Sequence, residues 1–227
     1  MHNEEGNADW CVRSLHDFLC KIDHNTSIIV VNDGSTDRTG EILENLSKSI
    51  DHLIIETHLM NMGYGAANNT GIKRAIKEGF TYALFIDADL TQNPMYIYSF
   101  MEKMDEGIDC IKATRYAKHG GVKGVPFKRW FISWVGNLLA RAYLRLPLTD
   151  YTNGFRAIKT EILSKIECHE TGFSYLIEEI RKASKYANTY SDVPYILTVR
   201  EDNNSKSKFT YSINVFYKYL RNLLTPR

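Results

Sequence analysis

Two carboxylates one residue apart, Asp87 and Asp89, follow an apolar run over residues 82–86. A short apolar run that breaks into charge reads as a buried strand reaching the edge of its sheet. Within a regular strand, side chains i and i+2 project in parallel. Where the backbone turns out of the strand, Asp87 and Asp89 can instead converge on one hard cation. Oxygen ligands suit Mg²⁺ or Mn²⁺, which keep several waters and share the rest of their shell with a substrate's phosphates. The plain alternative is a strand end whose acids are solvated, and so short a motif does not decide between the two. The same arrangement recurs at Asp33, where a β-rich run over residues 27–31 stops at Asn32 and Asp33. Gly34 follows, with Ser35, Thr36 and Asp37 as candidate helix caps. A run over residues 109–114 ends in Arg115.

These groups need elements to carry them. A helical pattern with Trp10, Leu15, Phe18, Leu19 and Ile22 precedes the first strand. Helix period resumes at Ile42, Leu43 and Leu46, and residues 53–55 fit a short strand. The Gly-rich stretch 61–67 opens another helix, and Pro94 starts the next at a position where its missing N–H matters little. Alternating strands and helices of these lengths predict an α/β domain with a largely parallel sheet. Ligands of such sheets bind outside the carboxyl ends of the strands. Asp33, Asp87, Asp89 and Arg115 all fall at those ends, which favours a functional site over four unrelated solvated groups.

At 227 residues, 44% of them hydrophobic and 24% charged, the chain has the size and composition of one globular domain. A net charge of +1 supplies no basic field for nucleic acid. The four cysteines include no C-x-x-C pair, so neither a zinc site nor a disulfide framework is indicated, and a reducing compartment is expected. Neither a signal peptide nor an apolar run of spanning length is visible, so no spanning helix is expected; the expected location is cytoplasmic, peripheral on a membrane surface.

Beyond Arg115 the character changes. Residues 118–124 form a basic, Gly-rich loop, either a lid over a phosphate or a mobile connection. Residues 126–141 read as an amphipathic helix in which Lys128, Arg129, Arg141 and, just beyond, Arg145 alternate with Trp130, Phe131, Trp134 and Tyr143. Such a helix suits a membrane interface or the cover of a sheet. Residues 150–156 form a turn into a strand, residues 172–179 open a helix, and residues 193–200 are extended and run into a polar loop. A final helix over residues 211–224 mixes aromatic and basic residues and is a second candidate for membrane contact.

In order, the chain carries VNDGSTD (31–37), N-x-G-x-G-A-A (61–67), FIDADL (85–90), ATRY (113–116), RWFISWVGN (129–137), TNGFR (152–156), GFSYLIEE (172–179) and REDNNSK (200–206). Each motif alone is weak, but the series resembles glycosyltransferase family 2, and within it the dolichyl- or polyprenyl-phosphate sugar synthases. The resemblance implies a GT-A (Rossmann-like) α/β fold filling residues 1–227, with a nucleotide-binding half over 1–116 and an acceptor half over 117–227. In the family a strand ending in a Pro-x-Tyr-Asn-Glu-like turn comes first. Here His2, Asn3 and Glu4 match the tail of that turn, with His2 at the aromatic position, so the first strand is expected to be missing. Other departures are Asn32 before Asp33, Tyr64 where many relatives carry a basic residue, and Asn203 in place of a glycine.

The resemblance also implies roles. Asp33, with His2 and Glu4, contacts the nucleobase of a nucleotide-sugar donor. Asp87, Ala88 and Asp89 hold its ribose and a Mg²⁺ or Mn²⁺, with Asp89 coordinating most directly. Arg115, Arg129 and Arg200, with Ser133 and Lys206, match positions that contact phosphate in the family, and arginine forks grip phosphate bidentately. The implied acceptor is a polyprenyl phosphate at a membrane surface, with a separate membrane subunit as a possible partner. A phosphate is already anionic near neutral pH, so the reaction requires no general base. A saccharide acceptor is the alternative, and Glu178 or Asp150 is then the candidate base. A non-catalytic nucleotide-binding remnant is a third reading, motivated by the missing strand. A sugar nucleotidyltransferase is disfavoured, because no early Gly-rich loop with Lys or Arg is present.

Overall fold

A computed structural model of the chain describes residues 1–89, 91–198 and 213–224. The elements run in the order α1 (Ala8–Leu19), β1 (Ile28–Asp33), α2 (Thr39–Ser47), β2 (Leu53–His58), α3 (Tyr64–Lys77) and β3 (Tyr82–Phe85). After a 3-10 turn at Pro94–Tyr96 come α4 (Ile97–Asp105), β4 (Cys110–Thr114), β5 (Gly121–Val122), α5 (Phe127–Leu144) and β6 (Arg156–Lys159). Then follow α6 (Thr160–Leu163), α7 (Tyr175–Ala183), β7 (Tyr190–Pro194), β8 (Ile196–Leu197) and α8 (Ile213–Leu224). This is the α/β alternation that the sequence predicts. The parallel pairs are β1–β2, β4–β7 and β5–β8. β6 runs antiparallel between β3 and β4, a strand inserted from the second half of the chain.

The core does not respect the boundary near residue 117. One buried cluster joins Ile72 and Cys110 to Ala140, Leu144, Tyr151, Ile158, Ile177 and Leu223. A second joins Phe18, Phe100 and Ile111 to Phe155, Val193 and Tyr195. The two halves therefore share apolar burial. Under the site, Arg156 of β6 is enclosed, ion-paired through both Nε and Nη2 with Glu179 of α7, hydrogen-bonded to Asn68 and stacked over Phe85 at 3.8 Å. It pins β6, α7 and α3 to β3, the strand that leads into Asp87.

The sheet is interrupted. Among the described residues, β1 pairs only with β2, and β3 pairs only with β6, so each presents one unpaired edge. Residues 24–31 and 79–89 together line a cavity of about 1090 Å³ between those edges. The amino group of Met1 donates to the Val31 carbonyl at 2.6 Å, and the Asp33 N–H donates to the Met1 carbonyl at 2.7 Å. These two bonds are one rung of a parallel ladder opposite Asn32. The cavity therefore lies beside the unpaired edge of β1, with Met1 among its lining residues.

Lys112 of β4 is buried and donates through Nζ to the Asn153 carbonyl at 2.9 Å. Burial, assisted by the nearby Arg156 charge, pushes its ammonium down from 10.5 to about 8. Below pH ~8 the folded chain bears a desolvated charge that the unfolded chain hydrates, and this penalty fades as pH rises toward 10.5. Lys112→Met is therefore expected to lack a gain in unfolding free energy of about 2–3 kcal/mol that wild type shows between pH 8 and 10.5. Urea titrations of both proteins at the two pH values check it, and parallel pH dependences refute it.

Candidate active site

β1 delivers Asp33 to the mouth of the cavity, and β2 delivers His58 beside it, because the parallel register sets Asp33 opposite His58. His58 Nδ1 lies 2.7 Å from Asp33 Oδ1, and its Nε2 lies 2.9 Å from Thr70 Oγ1. The backbone N–H groups of Met62 and Gly63 also donate to the Asp33 carboxylate, at 2.8 and 2.9 Å. Burial pushes the Asp33 carboxyl up, but the His58 and backbone hydrogen bonds outweigh it and hold the group below the usual carboxylate range. The next residue has to be glycine. Gly34 has φ +62°, and a Cβ there would sit 2.1 Å from the Met60 carbonyl carbon. His2 Nδ1 is 2.9 Å from the Asp33 carbonyl oxygen, and Glu4 accepts from Asn7 Nδ2 at 2.9 Å. Met1 and His2 therefore lie against the Asp33 backbone.

β3 ends at Phe85, and the chain turns out of the sheet before Asp87. Asp89 Oδ1 accepts from the N–H and the hydroxyl of Thr91, at 3.1 and 2.9 Å. Asp87 is clamped by Gln92, whose Nε2 donates to Asp87 Oδ2 at 2.7 Å. His2, Glu4, Asp33, Asp87, Ala88 and Asp89, every residue that the sequence assigns to the donor, line the one cavity. Tyr64 lines it too, stacked on Phe173 with ring centroids 5.0 Å apart. At Gly65 the backbone meets the 170–171 segment so closely that a Cβ would lie 1.8 Å from the Glu170 carbonyl oxygen. That contact, with the bond from Gly65 N–H to the Thr171 carbonyl at 2.9 Å, makes residues 170–173 one wall of the site.

Arg115 and Ser133 form a second cluster. Arg115 makes a bidentate pair with the buried Asp150, at 2.7 and 2.9 Å, and donates to Ser133 Oγ at 3.3 Å and Thr152 Oγ1 at 3.0 Å. Ser133 Oγ also accepts from the Tyr116 hydroxyl at 2.9 Å. Burial opposes both charges of the pair. Their mutual attraction prevails, holding the Asp150 carboxyl low and the Arg115 guanidinium charged. This cluster adjoins the first through a short turn: Thr152 belongs to it, and at Gly154 a Cβ would lie 3.3 Å from Asp87 Oδ1. The side chain of Arg129, and Arg200 and Lys206 altogether, lie outside the described residues.

Neither candidate base is at liberty. Asp150 is engaged by Arg115 as above. Glu178 is buried, accepts from the N–H groups of His169 and Glu170 at 3.0 and 2.8 Å, and pairs with Lys182 at 2.7 Å.

α5 presents a continuous apolar stripe. Phe127, Phe131, Trp134 and Leu138, spaced as one helix face, are 74%, 46%, 40% and 52% exposed. Phe131 stacks on both Phe127 and Trp134 at 6.1 Å. α8 packs alongside, its Tyr219 hydroxyl donating to the Gly136 carbonyl at 2.7 Å, and adds exposed Tyr217 and Leu224. No helix among the described residues is long and apolar enough to cross a membrane.

For a divalent cation, the donor set is two carboxylates after a strand end. Among the described residues no cluster of three or more His, Cys, Asp or Glu side chains forms a closed site. Hard oxygens in that number fit Mg²⁺ or Mn²⁺ shared with substrate phosphates, which need few protein ligands. They do not fit a resident zinc, which takes three or four protein ligands drawn mostly from Cys and His.

Strand-end acids at the cavity, a parallel α/β frame and the antiparallel β6 insertion define a GT-A-type domain. The chain belongs to glycosyl transferase family 2, whose description matches residues 1–167, and it is a glycosyltransferase. It is 29% identical over 209 residues to the polyprenol monophosphomannose synthase of Mycolicibacterium smegmatis, covering 90% of this chain and 77% of that one. It is 30% identical over 219 residues to the dolichol-phosphate mannosyltransferase of Pyrococcus furiosus, covering 92% of this chain but only 59% of that longer protein. In fold it is similar to glucosyl-3-phosphoglycerate synthase of Mycobacterium tuberculosis, with a TM-score of 0.68 at 18% identity, over 100% of this chain and 78% of that one. That enzyme was crystallised with Mn²⁺, UDP-glucose and phosphoglyceric acid.

Proposed function

We propose that the chain, acting as a single domain, transfers a hexose from a nucleotide-sugar of the GDP-mannose or UDP-glucose type to a polyprenyl or dolichyl phosphate at a membrane surface, with inversion at the anomeric carbon. The observation that carries this reading is the make-up of α5. One helix holds Ser133 inward against Arg115 and Tyr116, and carries Phe127, Phe131, Trp134 and Leu138 outward. A phosphate at the inner group thereby leaves its isoprenoid tail beside an apolar, basic-flanked surface suited to a bilayer interface. The engagement of Asp150 and Glu178 points the same way, since a phosphate acceptor needs no base whereas a sugar hydroxyl does.

In this reading Asp33, oriented by His58, accepts from an N–H of the nucleobase, and His2 and Glu4 close over it. Asp87 and Asp89 hold a Mg²⁺ or Mn²⁺, which when bound supplies Lewis-acid neutralisation of the leaving diphosphate. Ser133 and Arg115 steady the acceptor phosphate, with Arg129, Arg200 and Lys206 proposed as further phosphate contacts. The names of the sequence relatives support the acceptor class, and the bound ion of the structural relative supports the metal. The exposed stripe supports a peripheral membrane position.

The test is transfer from radiolabelled GDP-mannose or UDP-glucose, with Mn²⁺, to polyprenyl phosphate in mixed micelles. Label is expected in the organic phase with polyprenyl phosphate, and neither with the corresponding polyprenol nor on a soluble saccharide. Transfer to the saccharide overturns the acceptor assignment. An inability to transfer to any acceptor, together with absent nucleotide-sugar hydrolysis, overturns the enzymatic reading.

A further inference from the structure

Gln92 is a polar residue outside any helix or strand, three positions past the acidic pair, yet it is only 2% exposed. Both ends of its carboxamide go to one residue. Nε2 donates to Asp87 Oδ2 at 2.7 Å, and Oε1 accepts from the Asp87 N–H at 2.8 Å. One side chain thus fixes both the main chain and the carboxylate of Asp87. Asp89 is held separately, by Thr91 within its own turn. Gln92 thus serves Asp87, and Thr91 serves Asp89.

We infer that Gln92 is a positioning residue for the donor site: it sets the Asp87 carboxylate, before any nucleotide arrives, in the orientation that a cation and diphosphate require. This rests on the reading of Asp87 and Asp89 as the place of a divalent cation and a nucleoside diphosphate. Outer groups that orient a ligating carboxylate influence metal affinity strongly, and their removal weakens binding by about 10–100-fold. A preorganised carboxylate also spares the ordering that a free Asp rotamer must undergo on binding. A purely architectural Gln92 would stabilise the loop without affecting the ion, so the two roles separate by measurement.

The experiment uses Gln92→Met, which preserves length and bulk but removes both hydrogen bonds, and Gln92→Asn, which keeps a carboxamide one methylene too short to reach both groups. Mn²⁺ binding is followed by loss of the free-ion electron paramagnetic resonance signal, with UDP or GDP present. A core variant remote from the turn, Leu163→Ala, serves as a control for lost stability. The expected result is a 10–100-fold weaker Mn²⁺ affinity in both Gln92 variants. The donor KM rises with it while kcat at saturating Mn²⁺ stays within about threefold, the pattern of lost ground-state binding. Leu163→Ala is expected to bind Mn²⁺ like wild type despite a lower Tm. If wild type and both Gln92 variants bind Mn²⁺ equally, the inference fails and the function stands. If wild type binds no Mn²⁺ with either nucleotide, the metal assignment fails and takes this inference with it.

Discussion

Asp89→Asn is expected to lower kcat for sugar transfer about 1000-fold, equivalent to ~4 kcal/mol of transition-state stabilisation, while shifting Tm by no more than about 2 °C. The asymmetry follows from the separate roles of Asp89 Oδ1 and of the carboxylate's charge. Oδ1 accepts from the Thr91 N–H and hydroxyl, and the carboxamide oxygen of Asn can accept both. The turn after β3 therefore survives the change. The negative charge does not survive, and with it goes the group that would grip a cation while charge grows on the leaving diphosphate, the kind of term that dominates many catalytic sites. Steady-state rates across a Mn²⁺ titration, paired with thermal melts, check the claim. A variant that keeps a tenth of wild-type kcat removes Asp89 from the chemistry. Asp89→Ala, by contrast, loses the turn as well and is expected to lower Tm measurably.

How far this site was legible in the sequence depends on the distance over which each contact is set. Asp33, Asp87, Asp89 and Arg115 were found by one rule, that ligands collect at the carboxyl ends of parallel strands. The same rule reaches His58, the last residue of β2, but strand propensity in the sequence extends only to Ile55. Its extension by three residues is a tertiary matter, since Glu56, Thr57 and His58 pair with Val31, Asn32 and Asp33. Gln92 carried no signal, because a buried carboxamide facing its own loop follows no periodicity. The Arg115–Asp150 pair spans 35 residues. It exists because β6 returns antiparallel between β3 and β4 and brings the 150–156 turn alongside, a topology that strand propensity alone does not specify. The stripe on α5 is legible in the sequence as an aromatic helix, but its exposure depends on which face the rest of the fold leaves uncovered.

An N-terminal extension supplying a strand for the β1–β3 slot is expected to raise Tm by at least about 10 °C, since ~1 kcal/mol corresponds to about 2–4 °C in a domain of this size. The slot is flanked by backbone edges on both sides and lined by Ile28–Val31 on one and Tyr82–Ile86 on the other. Unpaired edge groups and an unfilled apolar volume are both unfavourable. An isoprenoid chain could fill the volume but would leave the edge N–H and C=O groups without partners, so an extended peptide fits better. Met1 already makes one parallel rung with β1, so six apolar, β-branched residues placed ahead of it enter the slot in register. Each residue adds ladder bonds worth about 0.5–1.5 kcal/mol net, and each buried Val or Ile side chain adds about 1.5–3 kcal/mol. These gains exceed the roughly 1–2 kcal/mol of backbone ordering per residue. Such a strand would also tie β1, which ends in Asp33, to β3, which leads into Asp87. A scrambled extension rich in Gly and Ser, matched in length, controls for the added chain. Equal melting of the two extended proteins, or protection of the wild-type chain by polyprenyl phosphate to the same extent, would show that the slot is not built for a strand.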